Sequence, residues 1–122
     1  MKRDPDLIRD LLDYIEKNHD GVNYLTSKGI NIKDHNQEEI SYHISLLHDA
    51  GLILGKNTSN FRSTPFWIIA RLTNDGHDFL EAARNDTAWN KVKETMVKTG
   101  GFVLELAMPL LMKQLAQQYG LN

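Results

Sequence analysis

A chain of 122 residues with 41% hydrophobic and 25% charged residues has ordinary globular composition, and it is long enough for one domain with its own core. It has no cysteine, which excludes disulfides, cysteine-ligated zinc and thiol catalysis, and its formal net charge of −2 lacks the basic excess of a dedicated nucleic-acid binder. The opening MKRDPDLIRD is charged where a secretory signal needs an apolar core, and the apolar run at 102–112 is broken by Glu105, so a cytoplasmic, membrane-free protein is expected.

The first helix opens at Asp4-Pro5-Asp6, where Asp4 can cap, Pro5 suits the first turn and Asp6 meets the positive end of the helix dipole. Leu7, Ile8, Leu11, Leu12 and Ile15 recur on one face, and the stretch from Asn18 to Gly21 ends the helix. In residues 22–33, Val22, Tyr24, Ile30 and Ile32 alternate with polar neighbours around Lys28-Gly29, which predicts short extended pieces rather than a helix. Asn36 and Glu39 form a capping box for the next helix. Its buried stripe is Ile40, His43, Ile44 and Leu47; Gln37, Glu38, Ser41, Tyr42, Ser45 and His48 lie opposite, and Gly51 supplies a left-handed stop.

Residues 52–56 and 66–72 read as the two strands of a long hairpin with a polar tip, NTSNFRSTP. In the second strand Phe66, Ile68, Ala70 and Leu72 line one side and Trp67 and Ile69 the other, so both faces are apolar and a cover for the second is expected. Thr73 caps the following helix, with Asp75 in its first turn; Gly76, costly so early in a helix, implies close approach of a neighbouring backbone. Phe79, Leu80 and Ala83 form the inner face of that helix. The helical pattern resumes through Trp89, Val92, Met96 and Val97 and breaks at Gly100-Gly101. The final segment is helical in composition but carries Pro109, which predicts a kink or a division.

The expected fold is mainly α with a small β hairpin. Its order resembles a winged helix-turn-helix domain over residues 1–99 with a C-terminal helical extension over 100–122. SYHISLLHDAGLI is similar to the junction of reading helix and wing in bacterial winged-helix regulators, and RLTNDGHDFL to their junction of wing and last helix. Residues 1–16, 38–53 and 71–94 together resemble an uncharacterised family of small bacterial and prophage proteins, a domain of unknown function. That resemblance implies a winged-helix fold and residence in mobile genetic elements, and no activity.

Two roles are open. One is a DNA-binding transcriptional regulator, in which Gln37, Ser41, Tyr42 and Ser45 of the capped helix and Lys56, Asn57 and Arg62 of the wing contact double-stranded DNA. Against it, residues 34–55 contain four acids and no lysine or arginine, although cations at phosphates supply most affinity and arginine or lysine forks read guanine. The other is a non-catalytic adaptor that keeps the fold and binds a protein. No phosphate loop, GxSxG, dinucleotide fingerprint or nucleophile with a nearby base is present, so no enzyme is expected. The five histidines give no metal pair: His43 and His48 are five apart and do not share a helix face, and His43 belongs to the core. Neither metal nor cofactor is expected. Trp67, Ile69, Phe102, Leu106 and Leu110 are the expected packing or oligomer contacts, either within the chain, with the C-terminal segment over the hairpin, or in a homodimer.

Overall fold

The computed structural model describes residues 1–58 and 65–121. The protein is mainly helical with a small three-stranded antiparallel sheet, and it divides into two compact units, Met1–His77 and Asp78–Asn122.

In the first unit, α1 (Pro5–Asn18) starts where the sequence signals it. Asp4 Oδ1 accepts the N–H groups of Asp6 and Leu7 at 3.0 and 3.3 Å, Pro5 occupies the first turn, and the five predicted apolar residues are all buried. Past α1, Asp20 accepts the N–H groups of Val22 and Asn23 at 2.8 and 2.7 Å, which holds its carboxyl down at about 2. Of the extended pieces expected in residues 22–33, only β1 (Leu25–Thr26) forms, and Val22 and Tyr24 are exposed. A 3-10 turn, Ser27–Gly29, follows.

The next helix, α2 (Gln37–Asp49), is capped by Asn36, whose Oδ1 accepts the Glu39 N–H at 2.8 Å, and Glu39 in turn accepts from the Asn36 backbone. Ile40, His43, Ile44 and Leu47 are buried as predicted, and Gly51 ends the helix at φ 75°. His43 ties two helix starts together. Its Nδ1 lies 2.7 Å from the Glu39 carbonyl oxygen, which can only accept, so its Nε2 is the acceptor for the Asp4 N–H at 2.8 Å.

β2 (Ile53–Asn57) and β3 (Trp67–Leu72) form the expected antiparallel pair, extended by Thr58, whose N–H donates to the Phe66 carbonyl at 2.8 Å. The sheet order is β1-β3-β2, with Leu25 opposite Ile69. The face assignment differs from simple alternation. Trp67, Ile69 and Leu72 point inward, whereas Phe66, Ile68 and Ala70 are half-exposed. The cause is a bulge: Leu54 pairs with Arg71 but Gly55 with Ile69, so Ala70 is an extra residue that shifts the pattern by one. Gly55 sits at this irregularity, and a Cβ there would meet the Ile68 carbonyl oxygen at 2.7 Å.

α3 (Asn74–Ala83) spans the boundary between the units. Thr73 is its cap, with Oγ1 accepting the Gly76 N–H at 3.0 Å while donating to the Gly51 carbonyl at 2.6 Å. The expected close approach at Gly76 is real: a Cβ there would lie 2.0 Å from the Leu52 carbonyl oxygen.

In the second unit, α4 (Asp86–Lys98) packs on α5 (Leu104–Gln118). Trp89 is fully buried between Phe79 and Phe102, with ring centroids 6.2 and 5.9 Å away in edge-on geometry. Asn85 and Gln118 exchange side-chain hydrogen bonds of 2.8 and 3.1 Å. Val97 is 71% exposed, because the buried stripe of α4 is Ala88, Trp89, Val92 and Met96, and Val97 lies about 100° around the helix from Met96. Pro109 does not divide the last helix, which runs unbroken from Leu104 to Gln118.

Candidate functional site

The outward face of α2, the 3-10 turn and the loop-side ends of the hairpin strands enclose an open groove of about 530 Å³ in the first unit. Gln37, Glu38, Ser41, Tyr42 and Ser45 form its helical wall; Ser27 and Lys28 come from the 3-10 turn; Asn57, Pro65, Phe66 and Trp67 come from the hairpin. Local structure explains the assembly. The buried stripe of α2 fixes which way its polar face looks, and the buried Ser27 hydroxyl accepts the Trp67 N–H at 2.9 Å, pinning the turn to the start of β3.

Five of the sequence-derived contact residues meet in this groove: Gln37, Ser41, Tyr42, Ser45 and Asn57. Lys56 does not. It borders a second hollow of about 330 Å³ with Tyr24, Gly55, Ile68 and Ala70. Arg62, with Ser59 and Asn60 of the expected wing tip, lies outside the described residues. Trp67 and Ile69 are buried within the first unit, so their apolar face is already covered. In the second unit Phe102 is buried against Trp89, Leu110 is half-buried and Leu106 is 57% exposed.

Several polar groups expected to face a ligand are engaged inside the protein. Gln37 Nε2 donates to the Ile30 carbonyl at 2.9 Å, and the Ser45 hydroxyl donates to the Tyr42 carbonyl. The Thr58 hydroxyl accepts the Phe66 N–H and donates to the Phe66 carbonyl, both at 3.1 Å. Lys28 Nζ stands 4.1 Å from the centroid of the Phe66 ring, a cation–π contact that fixes one end of the groove. Aromatic surface from Tyr42, Phe66 and Trp67 thus remains beside the carboxylate of Glu38.

At the start of α2, His35 lies between two carboxylates, with Nδ1 2.8 Å from Glu39 Oε2 and Nε2 3.7 Å from Asp4 Oδ2. The bond from His35 is the main reason that the Glu39 carboxyl is held below its ordinary value. Among the described residues no group of three or more histidines and carboxylates is placed to hold a metal ion, and no helix is long and apolar enough to cross a membrane.

Sequence reading missed Ser27, Lys28, Pro65 and Phe66 as groove residues. The first two lie in a stretch without helical or strand periodicity, and only the pairing of β1 with β3 brings them beside α2.

Fold and groove together define a small, mainly helical protein with an aromatic-lined surface cleft. Residues 2–102 match the family model described as "Hypothetical protein (DUF2513)", and the chain belongs to that family. It is also 38% identical over 118 residues to an uncharacterized protein of Haemophilus influenzae, a match covering 96% of this chain and 93% of the relative. No solved structure matches the chain.

Proposed function

We propose that the first unit is a winged-helix module that has become a non-catalytic protein-interaction adaptor, with the α2 groove receiving a segment of a partner protein. The winged-helix reading is supported by the succession helix, strand, turn, helix and hairpin, and by a first strand pairing with the last. The adaptor reading is carried by one observation: the face that would read DNA is the wall of a concave groove to which Tyr42, Phe66 and Trp67 contribute aromatic surface. That wall has no lysine or arginine and presents Glu38. A duplex is a convex polyanion, and it needs cations on a protruding face. An apolar cleft with a few polar groups suits an extended or helical segment carrying an apolar anchor. Bacterial and prophage residence belongs to the same reading, through the family resemblance.

The test is a photo-crosslinking phenylalanine analogue in place of Tyr42 in the producing cell, with the same analogue in place of Lys56 as the control. A discrete protein adduct at Tyr42, absent at Lys56 and lost with Phe66→Ala, is expected. Adducts to DNA alone would overturn the adaptor.

A second reading, duplex binding, is favoured by Ser41, Tyr42 and Asn57 lying together on one side of the domain. It requires a gel shift of pooled genomic fragments whose affinity falls steeply with salt, because each phosphate contact releases counterion.

A further inference from the structure

At about 100° per residue, Glu38, Tyr42, Ser45 and Asp49 fall within about 60° of one another around α2. They lie opposite its buried stripe of Ile40, His43, Ile44 and Leu47. Glu38, Tyr42 and Ser45 line the groove, and Asp49 continues their row one turn beyond Ser45. The helical wall therefore has an acid at each end, with an aromatic ring and a hydroxyl between. The two acids stand about 16 Å apart along the helix axis.

Both acids are open to a base. The Glu38 carboxylate carries no ion pair among the described residues. Asp49, with its side chain 78% exposed, has no basic group nearer than the His48 ring at 4.0 Å among them. Glu39 differs, because His35 already lies against it. No lysine or arginine occurs from residue 34 to residue 55. Lys28 lines the groove from the opposite wall, where its ammonium lies over the Phe66 ring.

We propose, resting on the adaptor reading of this groove, that the partner segment is basic at two places. It brings one lysine or arginine to Glu38 and another to Asp49, and it sets a large apolar side chain between them against Tyr42 and Phe66. An extended chain spans that separation in about five residues and a helix in about eleven. The apolar anchor supplies most of the affinity, and the exposed charge pairs select the partner and speed its approach. The same two carboxylates repel acidic segments and phosphate backbones.

Random peptides long enough to span both acids, displayed on phage and selected on the full chain, test this. Recovered peptides are synthesised, and their affinities are measured by fluorescence anisotropy for the native chain and for Glu38→Lys, Asp49→Lys, Tyr42→Ala and Phe66→Ala. Circular dichroism of each variant reports that the helices are retained. The expected peptides carry lysine or arginine on both sides of an aromatic or large aliphatic residue. Either reversal should weaken them by about two- to tenfold, more at low salt, since an exposed pair is replaced by a repulsion of similar size. Changing the matching base of the peptide to glutamate should restore binding to that reversal variant and weaken binding to the native chain. Peptides that need Tyr42 or Phe66 but show no basic bias, or that bind both reversals as tightly as the native chain, would overturn this inference and leave the groove reading standing. Binders indifferent to Tyr42→Ala and Phe66→Ala, or no binders at all, would overturn both.

Discussion

Gly76 shows how one position can be dictated by a neighbour far away in sequence. The turn after α2 brings the Leu52 carbonyl so close to the start of α3 that a Cβ at Gly76 would be placed 2.0 Å from its oxygen. Relief requires moving backbone, so Gly76→Ala should destabilise by about 2–3 kcal/mol despite alanine's better helix propensity. Urea unfolding should show a lower midpoint with an unchanged slope; a neutral or stabilised variant would mean that the helix start moves freely. His43 is a second such residue. His43→Leu keeps the volume but strips the part-buried Asp4 N–H of its acceptor, while the Glu39 carbonyl keeps its bond within α2; an unsatisfied group of this kind costs about 1–3 kcal/mol. The same measurement should register that loss. Gly76 was readable in the sequence because glycine in a first helical turn weakens the helix unless a neighbour takes the space of its Cβ. His43 was readable because it falls on the apolar stripe of α2. What His43 joins was not readable, since Asp4 is 39 residues away.

At the scale of elements, the start of α2 carries the acid sensitivity. Glu39 has a lowered carboxyl value because His35 and the Asn36 N–H favour its charged form. A depressed folded-state value gives stability that is fully present above the ordinary carboxylate value of 4.5 and is lost as pH falls through the folded value. Asp20 acts in the same sense at more acid pH, its contribution fading between 3.8 and about 2. Glu39→Gln should therefore lower stability at neutral pH and flatten its fall in acid, so that the two proteins converge once Glu39 is protonated. Unfolding midpoints measured from pH 7 to pH 3 would show it; parallel curves would contradict it. Helix boundaries here were legible because caps are local: Asp4, Asn36 and Thr73 all act within three residues. The faces of β3 were not, because a bulge has no local signature at Ala70. It appears only in the pairing of β3 with β2.

For the whole molecule, the arrangement of chemistry was half legible. The polar face of α2 could be read by periodicity, and it forms one wall of the groove. The opposite walls could not, because Lys28 and Phe66 are brought together by tertiary contact. That contact also changes the chemistry, since Lys28 lies over the Phe66 ring. Lys28→Gln should leave the fold intact while weakening capture at Tyr42. If its only effect is on duplex binding, the groove is electrostatic rather than aromatic in purpose. The C-terminal segment was expected to cover the hairpin or a second copy. Within its own unit its inner face packs on α4 through Ala107 and Leu111.

The double tether at Asp4 sets a limit on how far the chain can be trimmed. Its carboxylate closes the first turn of α1 and its amide anchors the α2 histidine. Shortening to residue 4 removes only exposed side chains, whereas shortening to residue 5 unfastens two helices at one stroke. A fusion partner or purification handle joined ahead of Met1 leaves that fastening untouched, while the loss of a single further amino acid does not.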